Sequence, residues 1–230
     1  MSNPNPLDHI DPLSRGSLRH DVVRRLLALI FQGELPAGTR LVARRLSERL
    51  GVSATPIREA LVELEQVGMI QLYHNRGAVV KPFGRQELDE IFQVRRVLEA
   101  EAARCACGRI GRDDLEAVHR EMKALATQPE DEQGRWLRRL LSVDNQLHRL
   151  VAKHCGNARL ADEIHRYDTL AQVARDVLAG QRPTPKIGMD HHLAIVEGLL
   201  ADSAEAAAAA MAFHVETVAR LLGEVMFGRK

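Results

Sequence analysis

Apolar positions recur at helical spacing through most of this 230-residue chain, with one short interruption. Between residues 17 and 32, Val22, Val23, Leu26, Leu27 and Ile30 make an inward stripe that Gly33 stops. Leu35-Pro36-Ala37-Gly38 reads as a turn, and Leu46 and Leu50 mark a second short helix over about 42–50. Gly51 suits the positive φ that ends a helix, Ser53 suits an N-cap, and Pro56 falls in a first helical turn. Ile57, Ala60, Leu61 and Leu64 then repeat the stripe. After Gly68 the period becomes extended, with Met69–Tyr73 and Ala78–Lys81 flanking His74-Asn75-Arg76-Gly77 as a basic-tipped hairpin. Beyond Pro82 only helical spacing is found, in six helices over about 85–109, 112–127, 133–155, 157–179, 186–201 and 203–227. The pattern predicts a mainly α protein: a flexible arm over 1–16, a winged helix-turn-helix with a small β-hairpin wing over 17–83, and an antiparallel six-helix bundle over 84–230.

The first unit is shaped to bind DNA. Thr55 and Arg58 lie on the outer face near the N-terminus of the third helix, the end that a recognition helix sets against base edges. An arginine-tipped hairpin behind it reaches a minor groove or flanking phosphates. Residues 1–81 carry a net charge of +3 and the remainder −2, so affinity must come from placement and dimerisation rather than from a bulk field. Aromatic residues make up only 3%, which favours helix over sheet. With no apolar run of 18 residues and no signal peptide, the chain is expected to be cytoplasmic and not membrane-bound. Cys105, Cys107 and Cys155 are odd in number and lack CxxC spacing, as befits reduced thiols. No phosphate-cradling glycine loop or nucleophile elbow appears, so nucleotide and acyl-transfer enzymes are unsupported.

In the second unit the informative residues are polar ones on apolar stripes. One helix runs Leu137, Leu140, Leu141, Asp144, Leu147, His148, Val151; another runs His192, Ile195, Val196, Leu199; the last runs Met211, His214, Val218, Leu221. A buried carboxylate and three buried imidazoles are each costly alone, but they satisfy one another around a cation. Three nitrogens and one oxygen suit a divalent metal ion, zinc foremost, with nickel, manganese or iron as alternatives. His192 shares a face with Ile195 and Leu199, whereas His191 points with Ala194 and Gly198 and is read as rim. His119, His154 and His165 have no comparable stripe. Arg95 sits on a line of Leu88, Ile91, Leu98, Ala102 and Cys105. Its guanidinium either clamps an effector carboxylate or pairs with a neighbouring acid such as Glu99.

Residues 17–83 resemble the winged helix-turn-helix of the GntR superfamily of bacterial transcription regulators. The likeness rests on Pro36-Ala37-Gly38-Thr39-Arg40-Leu41 and on the run from Leu50-Gly51-Val52-Ser53 to Thr55-Pro56-Ile57-Arg58-Glu59-Ala60-Leu61. It implies operator contacts from Arg44, Ser53, Thr55 and Arg58, with His74 and Arg76 from the wing. Ala54 stands where that family usually carries arginine, so Arg44 or Arg45 substitutes or the preferred operator differs. The second unit resembles the FCD ligand-binding domain of the FadR branch. The matching stretches are Val94–Glu99, Asp144-Asn145-Gln146-Leu147-His148, His192–Ile195 and Phe213-His214, with six helices suggesting the VanR-like type. That resemblance implies a homodimeric transcription regulator, repressor or activator, on an inverted-repeat operator. It also implies a metal held by Asp144, His148, His192 and His214, whose open positions accept a small organic or sugar acid. The rival from the residues alone is a metal-dependent enzyme with an Asp/His3 site, for which the first 83 residues would have no use.

Overall fold

The computed structural model describes residues 18–73, 77–128, 135–179 and 184–228. The arm expected over 1–16, and the wing-tip residues His74 and Arg76, lie outside them. The chain divides into two compact units, one gathering residues up to Gly84 together with Asp168–Val173, the other Arg85–Tyr167 and Ala174 onward.

In the first unit, α1 (Leu18–Phe31), α2 (Ala43–Leu50) and α3 (Ala54–Gln66) pack their apolar stripes together. Leu26, Leu27, Leu46, Leu50, Ile57 and Leu64 are fully buried, each contributing about 1.5–3 kcal/mol from its removal from water. Gly51 ends α2 at φ 67°, and the Ser47 hydroxyl donates to the Val52 carbonyl at 2.5 Å, closing the turn into α3. Ser53 takes the N-cap backbone conformation of α3 without a side-chain capping bond. The wing is β2 (Ile70–Tyr73) paired antiparallel with β3 (Gly77–Val80). A third strand that the alternation does not reveal, β1 (Arg40–Leu41), pairs with the outer side of β3, with Leu41 opposite Ala78. Gly77 makes this approach feasible: it sits at φ 82°, and a Cβ there would meet the Leu41 carbonyl oxygen at 2.5 Å.

After Gly84 every element among the described residues is a helix: α4 (Arg85–Ala106), α5 (Arg112–Thr127), α6 (Arg135–His154), α7 (Ala158–Arg166), α8 (Asp168–Ala179), α9 (Thr184–Leu200) and α10 (Ala204–Phe227). There are seven helices where six were expected, because 157–179 is not continuous. At Tyr167 the backbone N–H turns to the Ile164 carbonyl (2.9 Å), an i→i−3 bond that tightens and ends α7 before α8 begins. No glycine or proline marks that break. α10 packs along both α4 and α9. Gly198 on α9 allows the α9–α10 approach, since a Cβ there would lie 2.7 Å from the Ala207 backbone nitrogen. The buried line of α4 is also rotated from the expected one: Leu88, Phe92, Arg95, Glu99 and Ala102 face inward, while Ile91 and Leu98 are only half-buried.

Candidate metal centre and DNA-contacting surface

α6, α9 and α10 bring Asp144, His148, His192 and His214 together, each with one ligand atom within 4.8 Å of the others. Asp144 and His148 share a face because they are four residues apart on α6. The α9–α10 approach sets the His192 and His214 rings 4.3 Å apart, with His148 5.2 Å from His214. His191 is outside the group, edge-on to Phe213 at 4.8 Å. Asp144 Oδ1 lies 2.5 Å from His192 Nε2 and 3.6 Å from His148 Nε2, while Oδ2 lies 2.7 Å from Arg175 Nε. None of these approaches has hydrogen-bond alignment. Both Asp144 oxygens, His148 Nε2, both His192 nitrogens and His214 Nδ1 are buried without a hydrogen-bond partner. Buried polar atoms are rarely left so, and a cluster of orphaned carboxylate and imidazole atoms fits a cation better than an interior hydrogen-bond network.

Behind this cluster stands an ion pair. Arg95 is 4% exposed and Glu99 5%; the guanidinium donates to Glu99 Oε1 through Nε at 3.0 Å, with NH2 2.8 Å away, and lies over the Phe92 ring. Glu99 Oε2 in turn lies 2.7 Å from His148 Nδ1. The structure therefore gives Arg95 the neighbouring-acid partner, and it does not line the cavity described below. Glu99 is the residue that spacing missed as a neighbour of the cluster. Its sequence signals are the i, i+4 relation to Arg95 and its place at the end of the Val94–Glu99 stretch.

Electrostatics divides the imidazoles. Burial would lower the pKa of His148, but the Glu99 carboxylate beside it raises it to about 9. Burial opposes ionisation of Glu99, yet Arg95 and His148 hold it at about 2. Asp144 is likewise penalised by burial and held well below the usual carboxylate range by Arg175 and His192. His214 is pushed well below its ordinary value by burial and by the His192 and His148 charges, so its ring is neutral.

A cavity of about 550 Å³, counting its open mouth, opens onto Asp144, His192 and His214. Its other lining cation is Arg175 of α8, half-enclosed, which also donates to Asn145 Oδ1. No apolar stripe singled out Arg175, because its partners come from another helix.

On the first unit, Arg44, Arg45, Ser53, Thr55 and Arg58 are all exposed, on α2 and at the start of α3. Arg44 pairs with Glu48 at 3.0 Å across one helical turn. The Glu65 carboxylate accepts the Leu72 N–H at 2.7 Å, tying the wing to α3.

Two family models match the chain: "Bacterial regulatory proteins, gntR family" over residues 18–80 and "FCD domain" over residues 90–217. The chain is 33% identical over 132 residues to the HTH-type transcriptional regulator McbR of Escherichia coli K12, a match spanning 57% of this chain and 58% of that relative. It is 27% identical over 209 residues to a probable D-xylose utilization operon transcriptional repressor of Paenarthrobacter nicotinovorans, covering 88% of each. It is 23% identical over 225 residues to the repressor RspR of E. coli K12, covering 96% of this chain and 92% of that one. Among solved structures, E. coli McbR/YncC superposes with a TM-score of 0.64 at 23% identity, over 90% of this chain and 98% of that one. These families and relatives are transcription regulators and not enzymes, which removes the metalloenzyme alternative.

Proposed function

Because this chain belongs to the GntR family of bacterial transcription regulators and carries an FCD domain, we propose that it is a metal-dependent, ligand-responsive repressor. In this reading a homodimer engages an inverted-repeat operator through Arg44, Arg45, Ser53, Thr55 and Arg58, with His74 and Arg76 from the wing. Asp144, His148, His192 and His214 hold a divalent cation, zinc foremost, that anchors the carboxylate of a small organic acid. The cation supplies a Lewis-acid anchor for that carboxylate. Arg175, on the cavity wall, supplies a second positive group for the same anion. The chain acts in the cytoplasm, and among the described residues no helix is long and apolar enough to cross a membrane.

The observation that carries the reading is the set of orphaned ligand atoms converging at the floor of a cavity. It is tested by metal analysis of the purified protein and by operator binding, with the site selected from random duplex, in the presence of organic acids. One divalent ion per chain and acid-dependent release of the operator are expected. A retained ion with operator binding indifferent to every acid would reduce the metal to a structural role.

A further inference from the structure

The cavity that opens onto the metal-ligand cluster has polar groups at one end only. Asp144, Arg175, His192 and His214 form that end, with His191 beside them, its ring 6.1 Å from that of His214. The walls are aliphatic: Leu137 and Leu141 from α6, Leu178 from α8, Val218 and Leu221 from α10. Thr217 carries the one hydroxyl among the lining side chains. A carboxylate seated at the polar end therefore projects its remaining atoms against hydrocarbon. We infer that the effector is a monocarboxylic acid with an apolar body, aliphatic or aryl, and not a polyhydroxylated sugar acid. This deepens the carboxylate-effector reading above and rests on it.

A hydroxyl carried into this space leaves water and finds leucine and valine, so it loses its hydrogen bonds without replacement. A methylene in the same place gains contact and leaves water behind. Leu137, Leu141, Val218 and Leu221 are half-buried, so they form a wall that a ligand can cover rather than the sealed interior of the bundle.

Two acids of equal carbon number decide the matter. 2-Hydroxyhexanoate and gluconate share the same α-hydroxy carboxylate head and thus the same capacity to chelate a metal; they differ only in hydroxylation of the tail. Their affinities are measured by calorimetry on the full-length protein loaded with Zn²⁺ and freed of excess, and again on protein stripped of metal, since the walls do not depend on the cation. 2-Hydroxyhexanoate is expected to bind about a hundredfold more tightly than gluconate. Leu141→Asn, at a half-buried position, is expected to shrink that ratio by about tenfold while leaving metal content unchanged. Gluconate binding as tightly as 2-hydroxyhexanoate, or more tightly, overturns the inference and leaves the carboxylate-effector reading intact. Zn²⁺ held at one per chain with neither acid bound overturns the effector reading itself, and this inference with it.

Discussion

Glu99 Oε2 lies 2.7 Å from His148 Nδ1, which turns His148 Nε2 toward Asp144 and the other imidazoles. A carboxylate behind a ligating histidine fixes the ring's tautomer and orientation and raises its basicity. Glu99→Gln preserves the shape but removes the charge. Zn²⁺ affinity should fall about 10- to 100-fold, read by competition with a chelator. Unchanged affinity would show that Glu99 serves only Arg95.

Arg95→Ala leaves the Glu99 carboxylate buried with His148 as its remaining partner. Breaking a buried pair by removing one member costs about 3–5 kcal/mol, and His148 holds the loss near the lower figure. Urea denaturation should show that loss in the midpoint with an unchanged slope. Arg95→Ala losing only its acid response, with full stability, would instead assign Arg95 to the effector.

His148 supplies a pH signature. Its folded pKa, raised to about 9 from the ordinary 6.5, means that the protonated ring stabilises the metal-free fold. That contribution is complete below 6.5 and is lost as pH rises through about 9. A metal ligand must be deprotonated, so Zn²⁺ uptake at neutral pH should release a proton from His148, while His214 is already neutral. Calorimetric enthalpies of Zn²⁺ binding in buffers of different ionisation heat count the protons. A count of zero at neutral pH would place Glu99 and His148 in a different protonation state.

On the DNA side, Arg58→Ala should weaken specific binding by about 1–3 kcal/mol per half-site and leave binding to random duplex nearly unchanged. Arg76→Ala should act evenly on all sequences and reduce the salt slope. Fluorescence anisotropy on both duplexes over a salt series separates the two. Equal loss on both DNAs for Arg58→Ala would make it a phosphate contact.

Gly77→Ala is expected to destabilise the first unit. The new Cβ meets the Leu41 carbonyl oxygen at 2.5 Å, and alanine is strained at φ 82°. Thermal melting should shift down, with specific operator binding weakened through the displaced wing. A melting temperature at or above wild type would mean that β1 can part from β3 at no cost.

What the chain discloses by itself follows periodicity. The α3 stripe comes from i, i+3, i+4 spacing and the Gly51 turn from glycine's tolerance of positive φ, and both are present in the structure; the same spacing singles out His192, which lies in the Asp/His cluster. The losses occur where a contact has no period. β1 spans two residues, too few to alternate, and exists through its pairing with β3. Arg175 meets Asp144 and Asn145 on α6, thirty or so positions earlier. On α4, the line through Ile91 and Leu98 and the line through Phe92 and Glu99 are adjacent faces of one helix. Only packing against α10 and α6 selects the second, and with it the acid. The split at Tyr167 is made by one backbone bond.

The two arginines of the cluster have a consequence for charge. Arg95 stands with Glu99 and Arg175 with Asp144, so the buried charges already cancel once His148 is neutral. A divalent ion entering this balanced set carries two positive charges that nothing in the chain neutralises, in surroundings where unbalanced charge is costly. An anion is thereby demanded by the metal, and the metal by the anion. Their affinities are linked reciprocally: whatever factor an organic acid adds to zinc binding, zinc adds to the binding of the acid. Under the proposed function, zinc affinity measured in chloride alone is therefore expected to differ from zinc affinity measured beside an organic acid that binds the same site.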